Sequence, residues 1–159
     1  MENYILNENK KRLEPTETDC EYCKKRKVNS IEDCYFLNLY NVKKRTNLLV
    51  YRSVKYSLIK VGIRRCVPCK IIHKNADKNT VLYTTLIIVA LNIILFSVIG
   101  IFGVITMFLS LYLAIFLLSF IKNKLSLQKG ILSDQKGAKQ NQLVKDFLKE
   151  GWSTKTPFA

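Results

Sequence analysis

Two Cys-x-x-Cys pairs, Cys20-Glu21-Tyr22-Cys23 and Cys66-Val67-Pro68-Cys69, are the residues of this 159-residue sequence whose type and spacing could do chemistry. Each pair can turn two thiolates toward one side of a metal ion, and four thiolates complete a tetrahedral site of the kind zinc prefers. Such a site has no open position for a substrate, so its expected role is structural, with one zinc per chain. The pairs are separated by 42 residues, which is longer than the spacing of a compact ribbon. His73, the sole histidine, lies one turn after Cys69 and could replace a cysteine as ligand, as could Cys34, the fifth cysteine. Cys34 is otherwise a small apolar residue for a core.

A different chemistry is available to the second pair. Arg64, Arg65 and Lys70 surround Cys66 and Cys69, and neighbouring cations lower thiol pKa values and raise reactivity. A membrane-bound thiol–disulfide oxidoreductase using Cys66 and Cys69 is therefore the rival reading, although no thioredoxin-like βαβ pattern surrounds either pair. No nucleophile–base pair, phosphate loop or paired-carboxylate site is visible, and one histidine limits acid–base options. The sequence reads as a binding or scaffold module and not as an enzyme.

The elements that must position the cysteines follow from hydrophobic pattern. Tyr35–Val42 is rich in aromatic and aliphatic residues, and Val54, Tyr56 and Leu58 alternate with Lys55 and Ser57 as a half-buried strand does. Ile59, Val61 and Ile63 continue on the opposite parity with Gly62 between them, which predicts a bulge or bend there. Lys70–Lys74 reads as the start of a helix. Knuckle, β-hairpin, knuckle and helix together predict a treble-clef or zinc-ribbon-like β-module over 20–78, a size at which a metal commonly supplements a small core. Residues 1–19, of mixed charge and without periodicity, read as disordered.

From Val81 to Ile121 there are 41 consecutive residues without Asp, Glu, Lys, Arg or His. One straight helix of that length would be about 60 Å long, twice the roughly 30 Å hydrocarbon thickness, whereas two crossings fit. Gly100 and Gly103 near the midpoint are the predicted hairpin turn, dividing a membrane hairpin over 79–122 into spans 81–99 and 104–121. An antiparallel pairing about that turn brings Asn92 near Ser110, a cross-helix hydrogen bond worth about 0.6–2 kcal/mol. No ionisable residue lies within the run, which argues against a transport path. The fold class is thus an α+β membrane protein, a two-helix transmembrane hairpin carrying a small metal-stapled β-module.

Both flanks of the run are basic, with Lys78 on one side and Lys122 and Lys124 on the other. Lys and Arg in short loops stay cytoplasmic, so both termini are expected in the cytoplasm, in the inner or plasma membrane if the source is bacterial. No secretory h-region precedes the run within residues 1–30. Cytoplasmic thiols are expected to be reduced. Residues 34–80 hold 11 Lys+Arg and one Asp, a field that would attract anionic lipid headgroups. The aromatics among these cations could stack on nucleic acid, but a small module needs them for its core, so membrane-tethered nucleic-acid binding is the lesser alternative. The tail, 123–159, carries an amphipathic pattern over 140–150, with Leu143, Val144, Phe147 and Leu148 on one face and Gly151 as its stop. Trp152 suits a membrane interface or a place on the module. The expected partners are the bilayer, an unidentified protein and, in an oligomer, other copies of the chain.

The pattern Arg65-Cys66-x-x-Cys69-x-x-Ile72-His73, an upstream Cys20-x-x-Cys23, two apolar spans and a late Gly151-Trp152 resembles, across most of the chain, the layout of small uncharacterised bacterial two-span membrane proteins with a zinc-ribbon-like cytoplasmic head. The resemblance implies a metal-binding head on a two-span anchor and carries no activity or substrate.

Overall fold

The computed structural model describes residues 3–47, 52–99 and 103–158. In chain order the elements are β1 (Tyr4–Asn7), β2 (Arg12–Pro15), a single 3-10 turn (Ile31–Asp33), β3 (Tyr35–Asn47), β4 (Arg52–Ile63), α1 (Val67–Ile99), α2 (Gly103–Gln128), α3 (Asp134–Ala138) and α4 (Gln142–Lys149). They form two compact units, one of residues up to Cys69 together with those from Asp134 onward, the other from Lys70 to Ser133. The fold is mixed α/β.

The first unit is built on a four-stranded sheet of order β1-β2-β4-β3. β1 and β2 form an antiparallel pair, β2 runs parallel to β4 at Arg12↔Lys60 and Leu13↔Val61, and β3 pairs antiparallel with β4 from Tyr35↔Ile63 to Asn47↔Arg52. Residues 4–7 and 12–15 are therefore strands, where disorder was expected for 1–19. Their short, mixed-charge sequence has no visible period, and it is the pairing of β2 with residues 48 positions away that joins them to the larger sheet.

The predicted bulge at Gly62 is also corrected. β4 is continuous, and the register shift lies in β3 between Val42 and Lys44. The parity change in β4 marks instead a change of buried face: Ile59, Val61 and Ile63 point into the core, whereas Tyr56 and Leu58 point the other way and stay exposed. Gly62 is required by close approach, since a Cβ there would lie 3.0 Å from Leu13 O, Phe36 Cε1 and Pro15 Cδ.

Leu13, Leu37, Leu39, Val61 and Ile63 from the strands join Ala138, Val144 and Phe147 from α3 and α4 in one core. The segment read as a cytoplasmic tail thus supplies three of the eight buried core residues of the first unit, because the sheet alone has only one apolar face and α4 supplies the stripe that covers it. α4 occupies the inner part of the predicted 140–150. Asn141 caps its start, accepting from Val144 N at 3.3 Å. Its end is a Schellman motif: Gly151 sits at φ 87°, Gly151 N donates to Leu148 O and Trp152 N to Phe147 O. The Trp152 ring meets Phe147 edge-on at 5.4 Å, so the residue considered for a membrane interface packs on the head. Ser153 then pairs with Tyr40, 2.8 Å in both directions, on the outer edge of β3.

The second unit consists of most of α1 with α2. Both helices are long and apolar enough to cross a membrane. They lie antiparallel: Asn92 Nδ2 donates to Ser110 Oγ at 3.0 Å, the contact expected from the sequence, and Lys122 Nζ meets Asp77 Oδ1 at 2.6 Å. The seam buries Ala76, Thr80, Thr84, Ser110 and Ser126, whereas Val98, Leu109, Tyr112, Ile115 and Phe116 face outward and exposed. Small and polar inside with large apolar outside inverts the pattern of a water-soluble helix pair. Gly103 is the first residue of α2; Gly100, the other predicted turn residue, lies outside the described residues.

Candidate metal centre

The first cysteine pair sits in a tight loop pinned at its base. Asp19 bridges to Lys27, Val28 N donates to Thr18 O, Cys20 N to Arg26 O and Lys24 N to Cys20 O. Lys24 takes a left-handed conformation, φ 53°, which turns the chain back immediately after Cys23. The second pair is delivered differently. β4 ends at Ile63, and α1 begins at Val67, with Pro68 in its first turn where a missing N–H costs nothing. Cys66 and Cys69 thus flank a helix start, where the second knuckle had been expected.

The four Sγ atoms converge. All lie within 4.8 Å of one another, with Cys20–Cys69 at 3.9 Å and Cys23–Cys66 at 3.7 Å. Metal–sulfur bonds of about 2.3 Å in a tetrahedron put sulfurs about 3.8 Å apart, so the cluster can hold one metal ion. Each close contact joins one cysteine of the first pair to one of the second, and all four are unbridged. Cys66 N also donates to Cys20 Sγ at 3.3 Å. Burial pushes the Cys66 and Cys69 thiols up. At Cys23 burial acts in the same direction but is outweighed by the Lys25 backbone and the surrounding sulfurs, which bring it down to about 7. Four thiolates this close would repel one another strongly, and a cation at their centre would offset that repulsion.

The two suggested substitute ligands are engaged elsewhere. His73 is buried, with Nε2 2.9 Å from Leu132 O. Cys34 is buried beside the backbone of Arg65, and burial raises its thiol; it lies outside the four-cysteine group. Among the expected interface lysines, Lys122 is paired with Asp77 and Lys78 and Lys124 are exposed.

Sequence reasoning overlooked the residues that hold the centre together. Glu21 and Tyr22, the two positions between Cys20 and Cys23, each bind a distant part of the chain. Glu21 accepts from Arg64 Nε at 3.0 Å, Arg64 N at 3.3 Å and Asn141 Nδ2 at 2.7 Å, and Glu21 N donates to Arg64 O. Arg64 also pairs with Glu17. Tyr22 OH donates to Asp134 O at 2.8 Å. Arg65 Nε donates to Asp33 O at 3.1 Å, with its guanidinium over the Tyr35 ring. A carboxylate and a ring between two cysteines, where small residues would serve a bare knuckle, were the available signal. No family model matches this chain, and neither a curated protein nor a solved structure does.

Proposed function

We propose that this chain is an integral membrane protein whose head is stapled by one structural zinc ion held by Cys20, Cys23, Cys66 and Cys69, and that the head acts as a binding or scaffold unit. The observation that carries the reading is the convergence of the four Sγ atoms within 4.8 Å. Four thiolates with no open position suit zinc held for structure. Loop, long antiparallel hairpin, then a helix start bearing the second pair is the order of a treble-clef module, and that assignment is part of the proposal. The outward apolar faces of α1 and α2 support insertion in a bilayer, and the basic flanks support a head on the cytoplasmic side. The layout also supports kinship with small two-span bacterial membrane proteins.

The test is metal and thiol content of the full chain, purified in mild detergent under reducing conditions, after an alkaline carbonate wash of its membranes. Retention through the wash, about one zinc per chain, and four thiols that react only after chelation are the expected results. Metal-free protein whose Cys66 and Cys69 form a reversible disulfide would overturn the zinc reading in favour of an oxidoreductase. Cross-pair sulfur contacts between Cys20 and Cys69 and between Cys23 and Cys66 favour the first outcome.

A further inference from the structure

The β3–β4 hairpin is longer than the core it serves. Leu37, Leu39, Val61 and Ile63 are buried, but none of residues 41–46 or 53–57 is. The distal half is a two-stranded ribbon with neither face covered, and such a ribbon is marginal in water on its own. Its faces differ. One carries the cross-strand pairs Tyr40↔Leu58 and Val42↔Tyr56, where Val42, Tyr56 and Leu58 are 40%, 45% and 41% exposed. The next pair on that face is Arg45↔Val54, which sets a cation at the end of the apolar band.

The opposite face brings Lys44 directly across from Lys55. Like charges facing each other across a strand pair are destabilising, and nothing nearby offsets them: no Asp or Glu occurs between Asp33 and Asp77, and no ion pair involves Lys43, Lys44, Arg45 or Lys55 among the described residues. An external anion would relieve this repulsion.

We propose that the distal β3–β4 ribbon is a docking surface for anionic phospholipid headgroups at a bilayer surface, with Val42, Tyr56 and Leu58 entering the interfacial layer, Arg45 on the same face meeting phosphates beside them, and Lys43, Lys44 and Lys55 adding attraction through their field. The proposal rests on the membrane reading above, which supplies the bilayer. A polyanion such as RNA would use the cations, but it gains little from exposed valine and leucine. An anionic bilayer rewards aliphatic side chains and cations together.

The experiment is amide hydrogen exchange of the full chain in nanodiscs of phosphatidylcholine alone or with about three parts in ten phosphatidylglycerol. Exchange of residues 42–47 and 52–58 should slow by about fivefold or more in the anionic discs, and the slowing should vanish at high salt and in the variant K43Q/K44Q/R45Q/K55Q, whose zinc content serves as the folding control. Equal exchange in both discs, from protein that resists alkaline carbonate, overturns the docking surface and leaves the membrane reading standing. Protein stripped by carbonate overturns the membrane reading itself. Slowing by a single-stranded RNA oligonucleotide in neutral discs, without slowing by phosphatidylglycerol, assigns the ribbon to nucleic acid and overturns the lipid proposal.

Discussion

The ring of Tyr22 lies against Gly137 so closely that a Cβ at position 137 would stand 2.8 Å from Tyr22 Cδ1 and nearer still to Cε1. Tyr22 belongs to the cysteine loop and Gly137 to α3, and the Tyr22 hydroxyl extends past the contact to Asp134 O. The C-terminal segment is thereby clamped to the cysteine loop at a site where only glycine fits.

Gly137→Ala should destabilise the head by about 1–3 kcal/mol, because the ring must shift and its hydroxyl leaves the carbonyl it satisfies. Tyr22→Phe keeps the packing and should cost about 1 kcal/mol. Urea unfolding, followed by Trp152 fluorescence, measures both. A Gly137→Ala protein as stable as the parent would show that the clamp yields freely.

If the four cysteines hold a metal ion, as proposed, its removal should loosen the first unit selectively. Chelation, or the double variant Cys20→Ser/Cys66→Ser, is expected to raise exchange throughout β2, β4 and α4, since a structural ion's binding energy is folding energy. The Asn92–Ser110 contact belongs to the other unit, and exchange in α1 beyond Thr80 should stay slow. Uniform change across both units, or none, would contradict this division.

Alkaline stability should depend on Tyr4. Burial, reinforced by the charge of Glu21, raises its hydroxyl to about 12, against the opposing Asn141 hydrogen bond. The folded state then holds its proton more tightly than the unfolded chain, so stability is full below pH 10 and falls as pH rises toward 12. Tyr4→Phe should flatten that limb of a stability–pH curve. An unchanged limb would assign it to other groups.

Gly151→Ala should cost about 1 kcal/mol, because φ 87° lies in a region that L-residues avoid. Trp152→Ala should cost more, since it removes the ring that covers Phe147. Thermal unfolding distinguishes the two sizes of effect; equal shifts would mean that the Schellman turn, and not the ring, holds the tail.

Within the helical pair, Asn92→Leu should weaken association by about 0.6–2 kcal/mol, measured by steric trapping in bilayers. Thr84→Val should be neutral or slightly stabilising, because its buried hydroxyl has no partner among the described residues. Loss of stability in Thr84→Val would point to a bond formed by that hydroxyl in the bilayer.

Much of the molecule is legible without coordinates, and for a definite reason. A 41-residue uncharged run leaves almost no conformational choice other than helix, and its length relative to a bilayer demands a division; the Asn92–Ser110 pairing then follows from counting away from the turn. The amphipathic stripe of α4 and its Gly151 stop are likewise local patterns. The convergence of two cysteine pairs could be read because two such motifs in one short chain have few other uses. What tertiary structure alone decided is non-local. Strands β1 and β2 acquire their identity from pairing, the parity of β4 is set by which half of it lies over the core, and the tail becomes head because the sheet's apolar face needs α4 as its cover. Glu21 and Tyr22 bond to residues more than a hundred positions away, and no periodicity encodes such a partner: only the packed chain selects it, by bringing donor and acceptor together where little water competes.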